Sequence, residues 1–175
     1  MRCSNWVHAD SVALLGDAAH AIVPFFGQGM NSGFEDCTNM LKLFSQHEGD
    51  WAKTFEDYNK TQPPNGNAIA DMAIENWFEM SEKVADPRFQ LRKKAEALIE
   101  KNFPQIFKSR YGMVTYTLIP YYIVQEAGRI QENLFAELLK GVDTIDQVSL
   151  EKAHALLKRD YVPFLEREDV KPHLD

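Results

Sequence analysis

The chain carries Val12-Ala13-Leu14-Leu15-Gly16-Asp17-Ala18-Ala19-His20 and, past Pro24, Phe26-Gly27-Gln28-Gly29-Met30-Asn31. An apolar run over about 11–15 reads as one buried strand. It ends in Gly-Asp, a short loop passes through a proline, and a glycine-rich turn opens a helix. A carboxylate just past a strand can accept hydrogen bonds from sugar hydroxyls. The N-terminus of the helix that follows leaves backbone N–H groups without intrahelical acceptors and carries a partial positive charge, which suits an electron-rich ring. That order of parts fits a flavin better than most ligands.

From Gln28 the period changes. Met30, Phe34, Cys37, Leu41 and Phe44 recur at helical spacing and mark one apolar face. A second helix is expected from about Asp50 to Thr61, stopping before Pro63-Pro64. A third runs from about Asn65 to Val84. Asp86 before Pro87 is an N-cap and N1 pair for a fourth, which ends near Pro104. Gly112 to Thr117 is β-branched and aromatic, hence extended. Pro120 opens a long helix with Ile123, Ala127, Ile130, Leu134 and Leu138 on one stripe, stopped near Gly141. Ser149 caps a last helix to about Tyr161, and the charged tail from Glu166 is expected to fray. The expected fold is mostly α, with one short strand that lacks an evident partner.

A formal net charge of −7 over 175 residues argues against a nucleic-acid surface, which needs a basic stripe. Cys3 and Cys37 make no disulfide framework, and five scattered histidines show no metal-ligand spacing. No metal site is expected. The apolar stretch Val114–Val124 is about 11 residues long and contains Pro120, too short to cross a bilayer. Arg88, Arg92, Lys93 and Lys94 read as a solvated face.

Gly16 to Asn31, continued by Gly33-Phe34-Glu35-Asp36-Cys37, resembles the Gly-Asp motif of the flavin-dependent aromatic hydroxylases almost letter for letter. Asn76-Trp77-Phe78-Glu79-Met80 and Tyr111-Gly112-Met113-Val114-Thr115-Tyr116 are similar to two later blocks of that family, at matching distances from Asp17. The resemblance covers roughly residues 3 to 125. The family also has an N-terminal βαβ unit with a G-x-G-x-x-G turn on the FAD pyrophosphate. Here Gly27, Gly29 and Gly33 give a pattern one residue too long. The expectation is a C-terminal portion of an α/β FAD-dependent monooxygenase. Residues 1–48 would be a piece of the FAD-binding domain, 49–165 a helical substrate-side region, and 166–175 a polar tail. Alone, such a chain would be inactive.

The resemblance implies FAD as cofactor, NADPH as electron donor, and L-kynurenine and dioxygen as substrates. It gives Asp17 the sugar-alcohol chain of FAD, sets Pro24 near the flavin, and gives Asn76 and Tyr111 the amino-acid end of the substrate. Gly16, Gly27, Gln28 and Gly29 complete the expected cofactor site. Gly27 and Gly29 can serve a positive φ or let the backbone approach the ring. Met30 and Asn31 would offer N–H groups to the pyrimidine end, although Met30 also fits the apolar helix face. Asp17 could instead cap a turn, and Asn76 could find a backbone partner. His20 reads as a packed structural histidine, and no side chain is expected to act as nucleophile or general base. The family's animal members carry a C-terminal membrane anchor, whereas this chain ends in polar residues, so a cytoplasmic enzyme is expected. Two alternatives stay open: a related hydroxylase of another aromatic acid, and a noncatalytic helical binding module descended from such an enzyme. A G-x-G-x-x-G upstream in frame favours the enzyme over the module.

Overall fold

The computed structural model describes residues 2–174. They form two compact units, Met1–Trp77 and Phe78–Asp175. The third helix of the chain therefore belongs with the first unit almost to its end.

In the first unit the expected strand has a partner after all. Strand β1 (Val7–His8) and strand β2 (Val12–Ala13) pair antiparallel, with Val7 opposite Ala13 and His8 opposite Val12. The tight turn between them places Ala9 at φ 50°. β1 is too short to show an alternating pattern, which is why the sequence gives no sign of it. The hairpin is also less buried than a core strand, since Val12 is exposed.

Beneath it lies a core of Trp6, Ala19, Met40 and Tyr58, flanked by Leu14, Leu15, Leu43 and Phe55. The polar atoms of that core are satisfied. Trp6 Nε1 donates to the Cys3 carbonyl (3.0 Å), and the Tyr58 hydroxyl donates to the Leu14 carbonyl (3.2 Å). Burial pushes the Tyr58 phenol well above its ordinary range. After β2 the chain turns at Gly16 into helix α1 (Asp17–His20), loops, and enters helix α2 (Gly29–Gln46).

Helix α3 (Trp51–Phe78) passes straight through Pro63 and Pro64. The expected break does not occur. An interior proline costs about 3 kcal/mol, but Thr54, Tyr58 and Gln62 are buried before the pair and Ala68, Ile69, Met72 and Ala73 after it. Tertiary packing on both sides holds the helix together.

In the second unit the chain leaves α3 through a π-turn, Glu79–Lys83. Helix α4 (Pro87–Asn102) starts at the expected cap, where the Asp86 carboxylate accepts from the Arg88 amide (2.8 Å). Residues 110–116 form helix α5 (Arg110–Tyr116) rather than an extended segment. Ser109 Oγ accepts from Gly112 N, and a Cβ on Gly112 would sit 3.1 Å from that oxygen. The cap, together with burial of Met113 and Val114, outweighs β propensity.

Helix α6 (Tyr121–Leu138) buries Ile123, Ala127, Leu134 and Leu138 of its expected stripe and leaves Ile130 half-buried. Helix α7 (Leu150–Leu156) begins at Ser149 and continues through a π-turn, Leu157–Tyr161, into helix α8 (Val162–Leu165). Gln131, buried on α6, donates through Nε2 to the Lys108 carbonyl and to the Tyr161 hydroxyl. The burial that encloses this contact pushes the Tyr161 phenol up to about 12. The described part of the tail is tied down rather than frayed: Val170 is fully buried, and Arg167 bridges Glu126 and Asp169. Of the basic cluster on α4, Arg92 and Lys93 pair with Glu96, and Arg88 pairs with Asp143. No helix among the described residues is long and apolar enough to cross a membrane.

Candidate functional site

An open groove of about 650 Å³ lies in the first unit, in the size range of small-molecule pockets. Its lining brings together Gly16, Asp17, Pro24, Gly27, Gly29 and Met30 from the expected cofactor site, and adds Leu15, Ile22, Gly33, Phe34 and Cys37. Gln28 and Asn31 stand beside the groove rather than in its wall. Gln28 is buried, and its side-chain oxygen accepts from Asn31 Nδ2 (3.0 Å).

The turn that presents Asp17 is held through both backbone groups of one residue, Gly16. Gly16 sits at φ 57°, ψ −140°, a conformation that glycine adopts readily. Its carbonyl accepts from the amides of Ala19 and His20 (2.9 Å each), and its N–H donates to the Asp36 carboxylate (2.8 Å). Asp17 follows, exposed. It makes no capping bond, and its carboxylate has no hydrogen-bond or ion-pair partner among the described residues. A turn-capping aspartate would have used that oxygen locally.

The other wall is the start of α2. Pro24 to Gly27 closes as a turn, with Gly27 N donating to the Pro24 carbonyl (3.2 Å) and Gly27 at φ 66°. The positive φ is therefore needed at Gly27 and not at Gly29, where a Cβ would meet Ile22 only at 3.8 Å. The first i→i−4 bond of α2 runs from Ser32 N to the Gln28 carbonyl (2.8 Å). The amides of Gly29, Met30 and Asn31 consequently have no intrahelical acceptor. A free carboxylate, open amides and apolar side walls suit a planar electron-rich ring that carries hydroxyls.

The apolar face of α2 is not core. Met30, Phe34 and Leu41 are 71%, 65% and 63% exposed, while Ser32, Asp36 and Met40 are buried. Asp36 is the residue that sequence reasoning missed. The only signal for it was an acidic side chain on the side of α2 opposite the apolar stripe.

His20 is packed, as expected for a structural histidine. Its ring stacks on Trp6 (4.8 Å between centroids), and its Nε2 lies 2.6 Å from Asp36 Oδ2. Next to Asp36, Glu35 accepts from Asn65 Nδ2 (3.2 Å), and burial raises its carboxyl above the usual range.

Asn76 and Tyr111 fall in different units. Asn76 Nδ2 donates to the Phe25 carbonyl (2.9 Å), a backbone partner, and so ties the end of α3 to the Pro24–Gly27 turn. Beside it Trp77 leans on Phe25, with ring centroids 6.2 Å apart. In the second unit Tyr111 is half exposed and meets Tyr116 edge-on. Behind it on α5, Arg110 pairs with Glu79 (3.1 Å), and its aliphatic stem passes so close to Gly128 that a Cβ there would lie 2.7 Å away.

Residues 2–73 match the model of the FAD binding domain family. It is further similar to kynurenine 3-monooxygenases from several organisms. It is 42% identical over 170 residues to that of Myxococcus xanthus, covering 97% of this chain and 35% of the relative. The enzyme of Flavobacterium psychrophilum is 42% identical over 140 residues, 80% of this chain and 31% of the relative. That of Dictyostelium discoideum is 39% identical over 162 residues, 85% and 35% respectively. The chain thus spans about a third of the length of the curated relatives it matches.

Proposed function

We propose that these residues supply the flavin-facing part of an FAD- and NADPH-dependent monooxygenase that hydroxylates L-kynurenine to 3-hydroxykynurenine. The observation that carries this reading is the unpartnered Asp17 carboxylate in the same groove as the open end of α2. The donor set fits the sugar-alcohol and ring portions of FAD. Bound and reduced, FAD supplies the activation of dioxygen; the protein supplies position and surroundings.

Asp17 accepts hydrogen bonds from the sugar-alcohol hydroxyls. The amides of Met30 and Asn31, at the positive end of α2, stabilise negative charge on the pyrimidine side of the ring. Gly16, Gly27 and Gly29 keep the backbone low enough for close approach, and Gln28 fixes Asn31 from behind. Pro24, with Leu15, Ile22 and Phe34, walls the site against water. Asn76 and Tyr111 hold the amino-acid end of kynurenine. No protein side chain acts as nucleophile or base. The names of the relatives favour kynurenine over another aromatic acid, and the free carboxylate favours a cofactor-binding part over a noncatalytic module.

This reading assigns the pyrophosphate and adenine contacts to residues outside these 175, so the chain alone does not retain FAD through gel filtration and is inactive by itself. A cytoplasmic location belongs to the same proposal; Cys3 and Cys37 are both free, which suits a reducing compartment. The test of the substrate assignment is kynurenine binding, followed by flavin absorbance in a full-length enzyme carrying Tyr111→Phe or Asn76→Ala. Tyr111→Phe keeps the ring and removes one hydrogen bond, so kynurenine affinity falls about 2- to 12-fold with normal FAD content. Unchanged kynurenine affinity in both variants contradicts the assignment.

A further inference from the structure

Asp36 is 4% exposed, and its Oδ2 accepts from two donors on the Asp17 turn: the Gly16 amide at 2.8 Å and His20 Nε2 at 2.6 Å. A buried carboxylate is tolerated only when it is paired in this way. His20 is itself fixed, stacked on Trp6, with its Cγ only 3.1 Å from where a Cβ on Gly66 of α3 would lie. Among the described residues its Nδ1 is buried without a partner, so the ring's one polar contact there is the bond to Asp36. The turn and α2 also touch directly: a Cβ on Gly16 or Gly33 would lie 3.5–3.6 Å from the other's Cα. One carboxylate thus locks both ends of a four-residue helix whose first residue is Asp17.

We propose that Asp36 and His20 are positioning residues for the FAD contact of Asp17, clamping the Gly16–His20 turn so that its free carboxylate stands fixed in the groove. The inference rests on the functional reading above, and goes beyond it by assigning work to two buried residues that never touch the cofactor. A loose turn would leave Asp17 to be ordered on binding, at a cost in affinity.

The test is a double-mutant cycle on FAD affinity, read by flavin fluorescence in the holoenzyme that carries these residues. Asp36→Ala lowers affinity about tenfold or more, the scale of a lost hydrogen bond to a charged group. In an Asp17→Ala background the same substitution costs less than about threefold, because the contact that it positions is already gone. His20→Gln keeps a donor toward Asp36 and retains most of the affinity, whereas His20→Leu falls with Asp36→Ala. Met40→Ala loosens the same core and lowers the melting temperature, yet leaves FAD affinity within about threefold.

Additive losses in the cycle, or an equal loss in Met40→Ala, overturn the positioning role and reduce the pair to packing. If Asp36→Ala does not fold, the His20→Gln and His20→Leu pair decides: equal affinities overturn the proposal. Should Asp17→Ala itself leave affinity unchanged, the functional reading falls and takes this inference with it. A loss in Asp17→Ala without one in Asp36→Ala refutes the positioning role alone.

Discussion

Helices α2 and α6 are each 18 residues long and carry equally clear apolar stripes, yet they bury opposite faces. On α6 the stripe is core: Leu134 and Leu138 are each 1% exposed. On α2 the stripe of Met30, Phe34, Cys37 and Leu41 is exposed, and the opposite face carries the buried Ser32, Asp36 and Met40. Periodicity states that a helix has two faces, but not what each face meets. In α6 the apolar face meets Phe107 and Tyr161 in a closed core that also holds one satisfied polar side chain, Gln131. In α2 the first half of the apolar face walls the groove, so on the proposed function it is apolar for a ligand.

That contrast breaks most readily under truncation. Leu134→Ala leaves a cavity in the second unit and costs about 2–5 kcal/mol in chemical denaturation. A loss under ~1 kcal/mol would show that α6 is not the organising helix of its unit. Gly66→Ala in the first unit puts a Cβ 2.5 Å from Trp6 Cη2 and 3.1 Å from His20 Cγ, where a fully buried indole cannot yield. The expected overpacking cost is about 1–3 kcal/mol, read as a lower thermal midpoint. Phe34→Ala, the α2 counterpart of Leu134→Ala, removes an exposed ring and changes stability by no more than about 0.5 kcal/mol. A large loss there would mean that the α2 stripe serves folding after all.

The smallest expected effect is on pH dependence. Burial raises the Glu35 carboxyl in the folded state, so the folded form holds its proton more tightly than the unfolded chain does. The stability that this proton confers is complete below the ordinary glutamate range and is lost as pH rises through the raised value. Glu35→Gln removes that slope, and a denaturation series from pH 4 to pH 7 is flatter in the variant. Identical slopes in both proteins would contradict it.

What could be read from the sequence was what local rules decide. The Asp86-Pro87 and Ser149 caps, the stripe of α6 and the Gly16-Asp17 turn each depend on neighbours within a few residues. What could not be read depended on distant partners. A helix crosses Pro63-Pro64 because buried residues on either side hold it, and 110–116 coils because Ser109 and two buried side chains outbid β-branched preference. The strand's partner Val7–His8 is too short to leave a pattern. The groove's residues were legible as a motif; the Asp36 clamp behind them was not, since an acidic residue on a helix looks solvent-facing until the fold turns it inward.

The central claim is that Asp17 keeps its carboxylate free for FAD. Its most direct test is the FAD dissociation constant of the holoenzyme with Asp17→Ala. Removing a charged acceptor from the sugar-alcohol hydroxyls is worth about 1.5–3 kcal/mol, so affinity falls roughly 10- to 150-fold while the melting temperature of the apoprotein stays near wild type. Unchanged FAD affinity, or a loss matched by an equal loss of apoprotein stability, would show that Asp17 serves the turn and not the cofactor.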